Sequence, residues 1–119
     1  MLTQLQEQSL WLTQHASSVA SQYGEDGIIS AALDLLPSKN NWCIEFGAWD
    51  GRLASNTHNL ITSRDYRGVL IEQDAQRFRD LQRTHGSGEN IRLNASVGFT
   101  ESDSLYALVS AFIGHLRIE

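Results

Sequence analysis

Two hydrophobic patterns alternate along the 119-residue chain. Over residues 2–20 a stripe of Leu2, Leu5, Trp11, Leu12 and Val19, diluted by Gln and Ser, predicts an N-terminal helix that breaks at Ser21-Gln22-Tyr23-Gly24. Over 25–36, Ile28, Ile29, Ala32, Leu35 and Leu36 recur at the helical period and Pro37 stops the run. Asn40-Asn41 is turn chemistry, and the apolar run 42–46 after it predicts a strand buried on both faces. A short helix over 57–63, capped by Asn56 or Ser55, and a turn at Tyr66-Arg67-Gly68 lead to a second buried strand, Val69-Leu70-Ile71-Glu72. Asp74 caps an amphipathic helix reaching about Thr84, with Phe78 and Leu81 facing inward. Gly86-Ser87-Gly88 precedes a third strand over 91–97, and Ser102 or Asp103 opens a last helix over 105–113 that Gly114 ends. Strands alternating with helices predict an α/β fold with a parallel sheet and crossover helices.

Composition narrows the classes. A formal charge of −5 and scattered basic residues, only loosely grouped at Arg77, Arg79 and Arg83, argue against a nucleic-acid partner, because phosphate binding uses clustered Lys and Arg. No stretch approaches the ~18 apolar residues of a membrane span, and the first twenty residues lack the pattern of a secretory signal, so a cytoplasmic protein without a membrane partner is expected. Cys43 is the single cysteine, which excludes an intrachain disulfide and reads as a small buried hydrophobe. His15, His58, His85 and His115 have no metal-ligand spacing, so no metal is expected.

The chemistry concentrates at Glu45-Phe46-Gly47-Ala48-Trp49-Asp50-Gly51, where the first strand ends. Glycine there permits a tight turn and close approach of a ligand. Open parallel sheets bind ligands at the carboxyl ends of their strands. Glu72 ends the next strand 21 residues after Gly51, a spacing suited to a carboxylate that accepts hydrogen bonds from both hydroxyls of a ribose. The spacing G-x-x-x-G, with Trp49 at its centre, departs from the dinucleotide pattern G-x-G-x-x-G and disfavours a nicotinamide cofactor. Glu45 and Asp50 would repel phosphates but tolerate the sulfonium and ammonium of S-adenosylmethionine. Each element also has a plain reading: a strand-to-helix turn for 47–51, a solvated strand end for Glu72, packing under the loop for Trp49, and a helix-capping turn for Tyr23-Gly24-Glu25-Asp26.

Ser21-Gln22-Tyr23-Gly24-Glu25-Asp26-Gly27, then 45–51, then Ser55-Asn56-Thr57, then Leu70-Ile71-Glu72 together resemble the FkbM-like methyltransferases, class I S-adenosylmethionine-dependent enzymes with a Rossmann-like fold. The resemblance runs from about residue 21 to 98. It implies a three-layer sandwich with a mostly parallel sheet of order 3-2-1-4, divided here into an N-terminal helix (1–20) and the N-terminal half of the methyltransferase domain (21–119). It implies that Glu45, Gly47 and Gly51, with Phe46, Ala48 and Asp50 of the same turn and Asn56 and Thr57 beyond it, lie at the methionine end of the cofactor. Glu72 would hold the ribose, Gln73 and Asp74 would flank the adenosine, and Asn94 and Ala95 would lie near the adenine. The reaction implied is methyl transfer to an oxygen, on a small molecule or a sugar hydroxyl.

The family continues through a fourth strand and beyond, whereas this sequence stops at Leu116-Arg117-Ile118-Glu119, which fits the start of that strand. A fragment is therefore expected, marginally stable and prone to self-association through the uncovered edge of its first strand. Asp50 and His58 are the candidates for a general base, with His58 read first as a helix-surface residue. The alternative to an enzyme is a non-catalytic remnant or interaction module that keeps the cofactor-binding scaffold.

Overall fold

The computed structural model describes residues 10–86 and 88–113, with the side chains of 112 and 113 excepted. A 3-10 turn, Trp11–His15, comes first. Four helices and three strands follow: α1 (Glu25–Asp34), β1 (Trp42–Phe46), α2 (His58–Ser63), β2 (Arg67–Glu72), α3 (Ala75–Thr84), β3 (Ile91–Asn94) and α4 (Leu105–Ile113). The strands form one parallel sheet in the order β1-β2-β3, with Glu45 beside Leu70, Phe46 beside Ile71, and Glu72 beside Asn94.

The alternating side chains of β2 sort the core into two layers. On one face Val69, Ile71 and Leu93 pack with Leu105 and Val109 of α4 and with Trp42, Ile91, Ala95 and Val97. On the other, Leu70 packs with Ala48 and with Leu81 and Phe78 of α3 and Ile61 of α2. Val69, Leu70, Ile71 and Leu81 are the largest fully buried side chains, each contributing about 1.5–3 kcal/mol by its removal from water. Helices on both faces of a small open parallel sheet make this an α/β fold, compatible with a Rossmann-like fragment.

Several local expectations change. The helix expected over 2–20 is, among its described residues, only the short 3-10 turn; residues 16–24 follow as irregular chain. Asp26 is the reason. It is 2 % exposed, and its Oδ2 accepts the backbone N–H groups of Val19, Ala20 and Ser21 at 2.8–2.9 Å, folding this segment against the start of α1. Burial raises the Asp26 pKa, but those N–H bonds outweigh it and hold the carboxyl below its ordinary value.

β1, expected to be buried on both faces, is half exposed, with Ile44 at 39 % and Phe46 at 58 %, because β2 is its only partner among the described residues. α1 ends at Asp34, and β3 stops at Asn94 rather than Val97. Asp74 caps α3 as expected, accepting the Arg77 N–H at 2.9 Å. For α4 the capping side chain is Ser104, whose Oγ accepts the Ala107 N–H at 3.2 Å, rather than Ser102 or Asp103. The expected helix start at 2–9, the stop at Gly114 and the fourth-strand start at 116–119 lie outside the described residues, among which the sheet has three strands.

Candidate functional site

A hollow of about 310 Å³ opens over the carboxyl ends of the three strands. Phe46 and Gly47 line it from the end of β1, Ile71, Glu72 and Gln73 from the end of β2, and Ala95, Ser96 and Val97 from the segment after β3; Trp49 and Arg77 complete the wall. Its walls are tied together. The Glu72 carbonyl accepts Ala95 N–H at 3.2 Å and Asn94 Nδ2 at 2.9 Å, Asn94 Nδ2 also reaches the Gln73 carbonyl at 3.1 Å, and Ser96 Oγ donates to Gln73 Oε1 at 3.0 Å.

Glu72 is 4 % exposed, and among the described residues its carboxylate accepts one hydrogen bond, from the Gln73 N–H to Oε2 at 3.1 Å. A carboxylate has about four lone-pair positions, so most of its capacity remains for donors entering the hollow. Gly47 stands at φ +68°, and a Cβ there would meet nothing within 4 Å. The backbone thus adopts a left-handed turn that glycine takes without strain, beside open space into which a ligand can come close. Trp49 holds φ +54°, a conformation uncommon for a bulky side chain, with the Arg77 guanidinium carbon 3.8 Å from its ring centroid. A cation over an indole face is attracted to the ring quadrupole, which fixes both groups at the wall of the hollow.

Glu45 is employed elsewhere. Its Oε2 accepts Ser55 Oγ–H at 2.8 Å and Thr57 Oγ1–H at 2.7 Å, and its Oε1 accepts the Asn56 N–H at 3.0 Å. Ser55 Oγ in turn accepts the Thr57 and His58 N–H groups at 3.2 and 3.0 Å. This network ties the end of β1 to the start of α2 and engages the amides of residues 56–58. Asp50 bends its own loop: Oδ1 accepts the Arg52 and Leu53 N–H groups at 2.9 and 2.8 Å. Burial raises the Asp50 pKa, but these bonds prevail and keep it low. Asp50 borders a separate shallow depression with Val19, Ala20, Arg52 and Leu53.

Gly51 is buried at φ +79°, where a Cβ would come within 2.6 Å of His85 Cδ2 and 2.7 Å of Leu81 Cδ1. It is glycine for the sake of the core. Ala48, 3 % exposed, lies beneath the turn and anchors it to β2 by donating its N–H to the Ile71 carbonyl at 3.0 Å.

Of the residues expected at a cofactor, Phe46, Gly47, Glu72, Gln73 and Ala95 share the hollow and Asn94 braces it. Ala48, Gly51, Asn56, Thr57 and Glu45 build the loop behind it, Asp50 turns that loop, and Asp74 caps α3. Ile71, Arg77, Ser96 and Val97 are lining residues that spacing alone did not single out. Arg77 lies one helical turn beyond the Asp74 cap, the one sequence signal that could have placed it at the strand ends. His58 sits against Gly51 and His85, apart from the lining residues, so neither base candidate faces the hollow.

The hollow is lined by one carboxylate, Glu72, and one guanidinium, Arg77, rather than by Glu45 and Asp50. Geometry takes over the case against a pyrophosphate. Dinucleotide folds place a helix N-terminus directly after the glycine turn. Here α2 starts only at His58, and the amides of residues 56–58 that lead into it are bonded to Glu45 and Ser55.

Cys43 donates its thiol to the Arg67 carbonyl at 3.5 Å, and burial, reinforced by the charge of Glu45, pushes its pKa up to about 12, which makes it an unreactive thiol. No described helix is long and apolar enough to cross a membrane. Comparison of the chain with protein-family models, with curated proteins and with solved structures finds no match.

Proposed function

We propose that the hollow binds S-adenosylmethionine and that the chain provides the cofactor-binding part of a methyltransferase acting on a hydroxyl of a small molecule or sugar. The observation that carries this reading is the buried Glu72 carboxylate, open to new donors at the carboxyl end of a parallel strand, beside the open space at Gly47. The donor set fits the cofactor. A ribose diol offers two O–H donors to Glu72, Ile71, Ala95 and Val97 offer an apolar surface for a purine, and Arg77 offers a partner for a carboxylate. α2 begins only at His58, so no helix N-terminus follows the glycine turn directly, which favours a phosphate-free nucleoside. When bound, the cofactor supplies the methyl group and its own leaving group. The protein's part is to hold it and to exclude water. The oxygen acceptor rests on the resemblance to FkbM-like enzymes.

Calorimetric titration with S-adenosylmethionine tests the reading. Binding in the micromolar range, weakened at least tenfold by Glu72→Gln and unaffected by NAD as competitor, supports it. No heat at millimolar cofactor, from a chain whose folding is verified by circular dichroism, refutes it and leaves the non-catalytic scaffold.

A further inference from the structure

Twenty-seven residues separate His58 from His85 in the sequence, yet the fold brings their rings together over one backbone atom. His58 opens α2 and His85 caps the C-terminus of α3. His58 Nδ1 lies 3.0 Å from the Gly51 carbonyl oxygen, His85 Nε2 lies 2.9 Å from the same oxygen, and the two nitrogens are 3.1 Å apart. The ring centroids are separated by 5.1 Å. These three polar atoms form a triangle that needs at least one proton: with both imidazoles neutral, a single N–H on either nitrogen serves the carbonyl and the other nitrogen together.

The triangle is held from several sides. His85 is 4 % exposed, and its own carbonyl accepts Arg92 Nη1 from β3 at 2.6 Å. The charged groups acting on it are His58 of α2, Glu45 of β1 and Arg92 of β3. Burial holds the His85 pKa below its ordinary value, with the His58 and Arg92 charges acting in the same direction, against the Gly51 carbonyl and Glu45. Gly51 ends the turn whose first glycine, Gly47, lines the hollow, and its N–H donates to the Ala48 carbonyl at 2.8 Å.

We infer that His58 and His85 form a proton-operated clasp on the Gly51 carbonyl that fixes the 47–51 turn when the pair is neutral and releases it when both rings are protonated. A first added proton converts the N···N contact from donor–acceptor to donor–donor, and a second places two like charges across a part-buried gap, while no other hydrogen bond reaches the Gly51 carbonyl among the described residues. His58 and His85 are thus positioning residues, and the device stands whatever the hollow binds. Only its consequence, weaker cofactor affinity at acid pH, rests on the reading above.

Histidine ring NMR of the full chain between pH 8 and pH 5 tests the clasp without any ligand. The His85 ring is expected to take up its proton below the ordinary histidine range, with the Gly47 amide and the Trp49 indole signals following that step. His85→Gln and His58→Asn each put an amide N–H near the position of the ring nitrogen in use. Either is expected to keep the turn at neutral pH and to abolish the acid step in the Gly47 and Trp49 signals. Should one variant fail to fold, the other and the wild-type titration decide. Titration of His85 at the ordinary histidine value, or a turn whose signals ignore the rings, overturns the proposal. So does slow-exchange capture of both rings by stoichiometric zinc, which would make the triangle a metal site. Cofactor titration of the same samples at pH 8 separates this outcome from failure of the methyltransferase reading.

Discussion

Gly47 and Gly51 bound the same turn, yet alanine at the two positions should have different consequences. Both have positive φ, +68° and +79°, which costs an L-residue about 1–2 kcal/mol. At Gly47 the added methyl enters open space, so that backbone cost is the whole loss of stability. At Gly51 the methyl would lie 2.6 Å from His85 Cδ2 and 2.7 Å from Leu81 Cδ1. Leu81 is fully buried and His85 nearly so, so relief requires core side chains to move, at a further cost of about 1–3 kcal/mol. Gly51→Ala is therefore expected to destabilise by about 2–5 kcal/mol and Gly47→Ala by about 1–2 kcal/mol. Urea unfolding followed by circular dichroism reads the difference: at a slope of about 1.5 kcal/mol per molar, the Gly51→Ala midpoint should fall by about 1–3 M and the Gly47→Ala midpoint by about 1 M. In cofactor titrations the ranking reverses for a direct effect, with Gly47→Ala losing affinity through the narrowed hollow while it remains folded. Equal stability losses, or a Gly51→Ala variant as stable as wild type, would refute the division of the turn into a ligand-facing and a core-facing glycine.

Glu45→Ala removes the acceptor of three hydrogen bonds and should cost about 2–4 kcal/mol in urea unfolding, with Glu45→Gln recovering part of it. Asp26 makes stability depend on acid: its folded pKa lies below the ordinary carboxyl value, so its contribution is complete above that value and is lost as pH falls through the folded pKa. Melting temperature measured from pH 5 to pH 2 should fall more steeply for wild type than for Asp26→Asn, which starts lower. The half-exposed edge of β1 should pair with a second copy at high concentration, and Ile44→Lys should shift sedimentation toward monomer; an unchanged profile removes that edge as the contact.

The central part of the fold was legible because local signals and packing agree there. Val69-Leu70-Ile71 is an unbroken apolar run, and burial on both faces is its direct result. Asp74 caps the helix carrying Phe78 and Leu81, and its amphipathic stripe meets Leu70. Residues 10–20 depart from the helical pattern because their organiser is Asp26, a side chain that gathers backbone N–H groups from five to seven residues upstream and leaves no periodic trace, while the break at 21–24 stands where the sequence puts it. At the site, Glu72 and Glu45 look alike as acids at strand ends, and only the partners distinguish them. Ser55-Asn56-Thr57 supplies Glu45 with donors, a signal that could be read as a polar triplet able to fold back on the strand. The meeting of His58 with His85 depends on how α2 and α3 pack on one face of the sheet, which no linear spacing encodes.

The most direct test of the proposed binding site is amide NMR of the chain during titration with S-adenosylmethionine. The account predicts the largest shifts at Gly47, Trp49, Gln73, Ser96 and Val97, with residues 55–57 nearly still. Shifts concentrated at 55–57, or a spectrum unchanged at millimolar cofactor, would contradict it.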